Sequence, residues 1–254
     1  MTGTWAAGVV PRLVRTYDAA RDPERAVHAA AYMRDQFAFL GFPAATQRAL
    51  ARSMLAGVPK PGEDDLRDVA LACWELPERE YQYFACDLLR THVKVPGPDF
   101  LAVARTLITT KSWWDTVDAL AARVVGPLVR RHPTLTTTMD QWLEDDNLWI
   151  IRTAILHQLH YGAETDRDRL FGYCTRQAAH PDFFVRKAIG WALRQYARTD
   201  PNAVRSYLAT HRSELSPLSV REAAKHLSGE DQFPRSATTV SSPSTLAALV
   251  RPKR

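Results

Sequence analysis

An all-α fold, a curved solenoid of antiparallel helical pairs, is predicted for these 254 residues by three observations. Apolar residues recur at three- and four-residue spacing almost throughout, and no segment alternates convincingly as a strand. Glycine is scarce at 11, while Ala and Leu recur everywhere, which favours helix over sheet. Nearly every break holds a proline: Pro59, Pro77, Pro96, Pro133, Pro181, Pro201 and Pro217. Helices of this length with short breaks imply stacked pairs, each burying one face against its neighbours, so that the array curves and offers a concave surface. The repeats share no crisp signature, so HEAT-like pairs are inferred rather than read.

The elements follow in order. Asp22-Pro23-Glu24 supplies a cap, a first-turn proline and an early acid, starting a helix that the pattern carries to about Leu40, where Gly41-Phe42-Pro43 stops it. A second helix runs over about 44–55, closed by Gly57 and Pro59. Further helices are expected over about 63–74, 78–93, 98–109, 112–124, 134–144, 147–161, 165–179, 182–198, 201–211 and 217–228. Residues 1–228 thus read as one repeat domain. From 229 to 254 Ser, Thr and Pro accumulate and the chain closes on Arg251-Pro252-Lys253-Arg254, which reads as a flexible basic tail.

Composition narrows the function classes. A 46% apolar content fills a core, and 24% charged residues is ordinary for a soluble protein. Cys73, Cys86 and Cys174 are widely spaced and form no CxxC pair, consistent with reduced thiols in a cytoplasmic protein. No segment approaches 18 apolar residues, so no membrane partner is expected. A formal charge of +5 leans toward polyanions. That charge is uneven. Residues 63–90 carry eight acids against three bases and read as a solvated outer face, whereas 171–198 hold Asp182 against Arg176, Arg186, Lys187, Arg194 and Arg198.

Three stretches carry chemistry. In Thr110-Lys111-Ser112-Trp113-Trp114-Asp115-Thr116-Val117-Asp118, Ser112 and Asp115 have capping-box spacing, which gives Asp115 a structural task. Trp113 falls on the core face defined by Val117, Leu120, Ala121 and Val124, while Trp114 and Asp118, four apart, share its border. In the helix from about 147, Arg152 lies inside a broad apolar arc, and a buried guanidinium needs an anion: a structural carboxylate, a DNA phosphate or Asp118 itself. In the helix from about 182, Val185, Ile189, Ala192, Leu193 and Tyr196 form a core stripe. Phe184, Lys187, Trp191, Arg194 and Arg198 lie opposite, where Trp191 either packs on a neighbouring helix or stacks on a base or deoxyribose between phosphates. The eight histidines have no metal-ligand spacing, and no Walker loop, GxGxxG or GxSxG occurs.

These stretches resemble the AlkD family of bacterial DNA alkylation repair glycosylases, together with Ala31–Gly41 and Pro217–His226, over roughly residues 20–228. The resemblance implies an array of HEAT-like repeats wrapping duplex DNA along its concave surface. It makes Trp114, Asp118 and Trp191 the lesion-facing trio, Arg152 and Arg194 cleft arginines, and Tyr32 a cleft tyrosine. It implies hydrolysis of the N-glycosidic bond of cationic N3- and N7-alkylated purines without a deep base pocket, with no metal or organic cofactor. Lys111, Lys187 and Phe184 then read as DNA contacts, and a wrapping array needs no dimer, so a nucleoid-associated monomer is expected. A non-catalytic duplex-binding scaffold and a specialised glycosylase for bulky natural-product adducts stand as alternatives.

Overall fold

In the computed structural model, which describes residues 4–227, the chain begins with a helix that the sequence pattern conceals. Helix α1 (Thr4–Asp18) buries Val9, Leu13 and Tyr17, spaced four apart on one face. Gly8 and Pro11 mask that periodicity, yet Pro11 lies on the exposed side of the helix. The expected basic tail falls outside the described residues.

The second helix is shorter than expected. Helix α2 (Pro23–Tyr32) is capped by the Asp22 side chain, which accepts from Arg25 N, and it stops at Tyr32 rather than Leu40. Arg34 and Asp35 adopt left-handed φ of 58° and 56°, and the Asp35 N–H closes on Ala30 O at 2.8 Å. The apolar residues that followed the helical period serve tertiary contacts instead. The Phe37 ring lies 3.8 Å from the Arg79 guanidinium, and the N–H groups of Leu40 and Gly41 donate to the buried Glu80 carboxylate at 2.9 and 2.8 Å. Gly41 has φ +98°, and a Cβ there would meet Asp22 O at 2.1 Å, so only glycine allows the chain to pass α2 so closely.

The remaining helices are α3 (Ala44–Leu55), α4 (Glu63–Glu75), α5 (Arg79–Thr91), α6 (Phe100–Thr109), α7 (Trp114–Leu120), α8 (Gly126–Arg131), α9 (Thr136–Trp142), α10 (Leu148–Leu156), α11 (Arg167–Arg176), α12 (Phe183–Tyr196), α13 (Pro201–His211) and α14 (Pro217–Ala223). Among the described residues the β pairing is one isolated bridge, Ala38 to Glu78. The architecture is an all-helical solenoid. Along one layer α3, α5, α7, α10, α12 and α14 each touch the next, forming an unbroken row, while α1, α4 and α6 pack in sequence behind it. Apart from α2, which has no buried residue, the helices bury one face in a shared apolar core.

The helix carrying Asp118 differs from expectation at both ends. Its cap is Trp113, with no side-chain bond, because Ser112 donates to Ile108 O at 2.6 Å instead of forming a capping box. At the far end it runs through a π turn (Ala121–Val125) into α8. Pro127 has no N–H for the α-helical ladder there, and the wider turn absorbs the gap. Gly126 permits α10 to dock on that turn, since a Cβ would lie 2.1 Å from His157 O.

The acidic block is not simply a solvated face. Glu80 is 3% exposed and Arg79 is fully buried. Only the first turn of α4, with Glu63, Asp64 and Asp65, has the surface-dipole role that acids at a helix start usually fill. The three cysteines are fully enclosed, and burial pushes their thiols up.

His157 is buried, donates from Nδ1 to Ala154 O at 2.6 Å, and has its pKa lowered by burial to about 4. The unfolded chain takes up this proton near the ordinary histidine value of 6.5, whereas the folded ring resists it. The stability contributed by the neutral ring is therefore complete above about pH 6.5 and is lost as pH falls toward 4. Between pH 7 and 5 this amounts to about 2 kcal/mol. Denaturant titrations at the two pH values should show that loss in the native protein and a smaller one in His157→Gln; equal losses in the two proteins would refute the assignment.

Candidate active site

The site is assembled around the start of α7. Lys111 turns the chain with a left-handed φ of 48°, and its carbonyl accepts from Arg79 Nη1 at 2.8 Å. Arg79, the first residue of α5, also donates from Nε and Nη2 to the two Asp115 oxygens at 2.9 and 2.6 Å, and to Thr116 Oγ1 at 2.8 Å. Tyr83 OH adds a bond to Asp115 at 2.6 Å. Asp115 is thus structural, as the spacing suggested, but its partner is a buried guanidinium and not a helix cap.

One turn further, Asp118 faces the other neighbour in the row. Arg152 of α10 donates from Nε and Nη2 to its two oxygens at 2.7 and 2.8 Å. The third arm, Nη1, donates to the Phe184 carbonyl of α12. The Arg152 side chain is 4% exposed and that of Asp118 15%. Burial pushes the Asp118 carboxyl above its ordinary range, against the lowering pull of Arg152. A guanidinium does not release its proton, so its bidentate partner is the carboxylate anion at neutral pH. Of the three partners considered for Arg152, the structure selects Asp118. With its donors so placed, Arg152 holds Asp118 rather than reaching for a phosphate.

The other expected residues lie as follows. Trp114 is half-buried on α7, and its ring meets Tyr32 edge-on at 6.4 Å, with Tyr32 itself 74% exposed. Trp191 is half-buried on α12 and packed in part against the core. Trp113 is half-buried rather than core. It forms an aromatic cluster with Trp149 and Phe184, at ring separations of 5.9 and 5.2 Å. Phe184 packs in this cluster while Phe183 beside it is 50% exposed, so Phe183 is the more available ring. Lys111 donates to Leu76 O at 2.7 Å, and burial lowers its pKa; this ammonium ties α7 to α4 and is not a free phosphate contact. Lys187 and Arg194 both contact Glu222, at 2.6 and 2.8 Å. Arg198 is exposed, and Tyr196 is half-buried, packed against the core at the end of its stripe.

Reasoning from the sequence missed Arg79, Tyr83 and Glu222. Arg79 looked like one base in an acidic run, and its partner lies 36 residues away. Glu222 carried a local signal, a lysine three residues on, but its other partners sit on α12. Among the described residues no cluster of His, Cys, Asp and Glu is arranged to hold a metal ion, and no helix is long and apolar enough to cross a membrane.

Comparison with known proteins follows this geometry. The model of a family described as DNA alkylation repair enzyme matches residues 13–227. Among solved structures, a chain described as a predicted DNA alkylation repair enzyme from Enterococcus faecalis is 33% identical, with a TM-score of 0.76, over 83% of this chain and 98% of that one. No curated protein matches significantly.

The Arg79–Asp115 pair predicts a stability effect. Asp115→Asn leaves a fully buried guanidinium without its countercharge and should destabilise the fold by about 3–5 kcal/mol. A urea-unfolding comparison that found less than about 1 kcal/mol, the level of a surface pair, would remove this pair from its structural role.

Proposed function

The chain belongs to the DNA alkylation repair enzyme family, and we propose that it is a monofunctional DNA glycosylase that hydrolyses the N-glycosidic bond of cationic N3- and N7-alkylated purines in duplex DNA. The observation that carries this reading is the half-hidden carboxylate of Asp118, fixed at both oxygens by Arg152 on the same helical row as Trp114 and Trp191.

The chemistry follows from charge. Alkylation at N3 or N7 makes the purine cationic, so the base is already a good leaving group and needs little acid assistance. When the bond to C1′ breaks, its electron pair neutralises the purine and positive charge develops on the sugar as an oxocarbenium ion. A carboxylate facing that ion stabilises it and orients the water that adds to C1′, with the water's extra proton passing to solvent. At about 4 Å and an effective dielectric near 20 the charge pair is worth about 4 kcal/mol before desolvation. Arg152 offsets part of this by its own charge, and in return it removes the freedom of the carboxylate to turn away. The indole faces of Trp114 and Trp191 add cation–π attraction of roughly 0.5–2 kcal/mol each. Tyr32, projecting from the end of α2 beside Trp114, would border the same lesion.

Neither lysine near the trio is placed for a Schiff base, since Lys111 is bonded to Leu76 O and Lys187 to Glu222. Basic side chains along the row would grip the phosphates of undamaged DNA with a salt-dependent affinity. The site is a surface of half-buried side chains, which suits a base that stays largely stacked instead of entering a deep pocket.

The specialised form of this reading, in which bulky adducts are preferred, draws on one observation. A cavity of about 700 Å³ lies beside Tyr32, lined by Met33, Phe39 and Tyr83 among others. Parallel time courses on methylated and bulky-adduct duplexes separate the two forms.

The defining experiment measures release of 7-methylguanine and 3-methyladenine from methylated duplex DNA. Wild type should release them, and Asp118→Ala should be slower by about 10², the range for one well-placed catalytic group. Full activity in Asp118→Asn would sink the proposal. Duplex binding by the wild type without release of either base would favour the non-catalytic scaffold.

A further inference from the structure

Glu222 plays no part in the chemistry above, yet its surroundings are unusual. It lies on α14 with a side chain 6% exposed, and three cations from two segments meet on its carboxylate. Lys187 Nζ is 2.6 Å and Lys225 Nζ 2.5 Å from Oε1, and Arg194 Nη1 is 2.8 Å from Oε2. Gly190 makes the approach possible. A Cβ there would lie 2.5 Å from Glu222 Cβ and 2.8 Å from Ser219 O, so any other residue would push α14 away from α12.

The charges are layered. The anion is enclosed, while Lys187, Arg194 and Lys225 are 35%, 22% and 50% exposed. One guanidinium suffices for Asp115 and another for Asp118. Glu222 has three cations, so this corner keeps a surplus of two positive charges at its surface. An ammonium carries three donors and a guanidinium five, and each of the three gives the carboxylate one bond. That leaves two donors on each ammonium and four on the guanidinium, on side chains that are all partly exposed. Lys187 and Arg194 also stand one turn before and one turn after Trp191 on α12.

Lys187 and Arg194 already read as DNA-facing from the family resemblance; the geometry points further, to the buried Glu222 as the residue that gathers them with Lys225 into one receptor for a backbone phosphodiester beside Trp191. This rests on the DNA-binding part of the function proposed above, but not on catalysis. Glu222 is a positioning residue: it pre-orders three long side chains whose rotamer freedom would otherwise be lost when phosphate binds.

The test is equilibrium binding of undamaged duplex DNA across a range of salt concentrations. Lys225→Ala should weaken binding and make the slope of log K against log salt shallower by about 1. Glu222→Gln gives the sharper result, because two models predict opposite signs. Counting charge alone, loss of an anion tightens binding. If Glu222 orders the receptor, Glu222→Gln weakens binding at every salt concentration, and Arg194→Ala then has less effect in that background than in the wild type. A melting curve establishes that Glu222→Gln is folded at the assay temperature. Should it not be, exposed Lys225→Ala decides alone. An unchanged slope in Lys225→Ala, or tighter binding by Glu222→Gln, overturns the receptor and leaves the glycosylase reading intact. Absence of excision with these salt effects present does the reverse, and a wild type that does not bind duplex DNA overturns both.

Discussion

A buried guanidinium cannot discard its charge, and that constraint organises the middle of this molecule. Arg79 and Arg152 are both removed from water. Each therefore requires a fixed anion, and the anions are three residues apart on one short helix: Asp115 turns to α5 and Asp118 to α10. The helix is stapled on both sides by bidentate pairs whose planar geometry admits little rotation. With both clamps closed, Trp114 and Asp118 have fixed positions before any ligand arrives.

The same device joins the rest of the row. The third arm of Arg152 reaches the backbone of α12 at Phe184, linking the helix of Asp118 to that of Trp191. Helix α12 is fastened to α14 through Glu222, and Gly190 gives the approach. From α5 to α14 the row is thus joined by charge-assisted bonds, ion pairs between α5 and α7, α7 and α10, and α12 and α14, and an arginine–carbonyl bond between α10 and α12, while the apolar core supplies bulk stability. Hydrophobic contact alone would let neighbouring helices slide and rotate. Directional, charge-assisted bonds fix their register, which a catalytic surface needs more than it needs additional free energy.

Family membership and site geometry support each other without being the same argument. The matched segment covers residues 13–227, and the carboxylate, the indoles and the arginines all fall inside it. The proposed chemistry, however, depends on something that similarity alone does not supply: an anionic Asp118 held in place by Arg152.

By itself the sequence determined the all-helical class, most helix positions and the core stripe of α12, and it singled out the residues proposed for the site. Those features depend on spacing along a few turns, and a helix is a local structure. It also marked Arg152 as a buried cation in need of an anion, because an arginine inside an apolar arc is anomalous in any fold. Tertiary structure decided which anion that was, since Asp118 lies 34 residues away and other carboxylates were equally available to a reader of the chain. It also decided that Asp115 answers Arg79 and that Lys111 binds a carbonyl. The early end of α2 has the same origin: Phe37 and Leu40 kept the helical period, but Arg79 and Glu80 gave them better partners outside a helix. Where local pattern and long-range pairing competed, the cost of leaving a buried charge unpaired outweighed the few tenths of a kcal/mol, roughly, by which helix propensity distinguishes one residue from another.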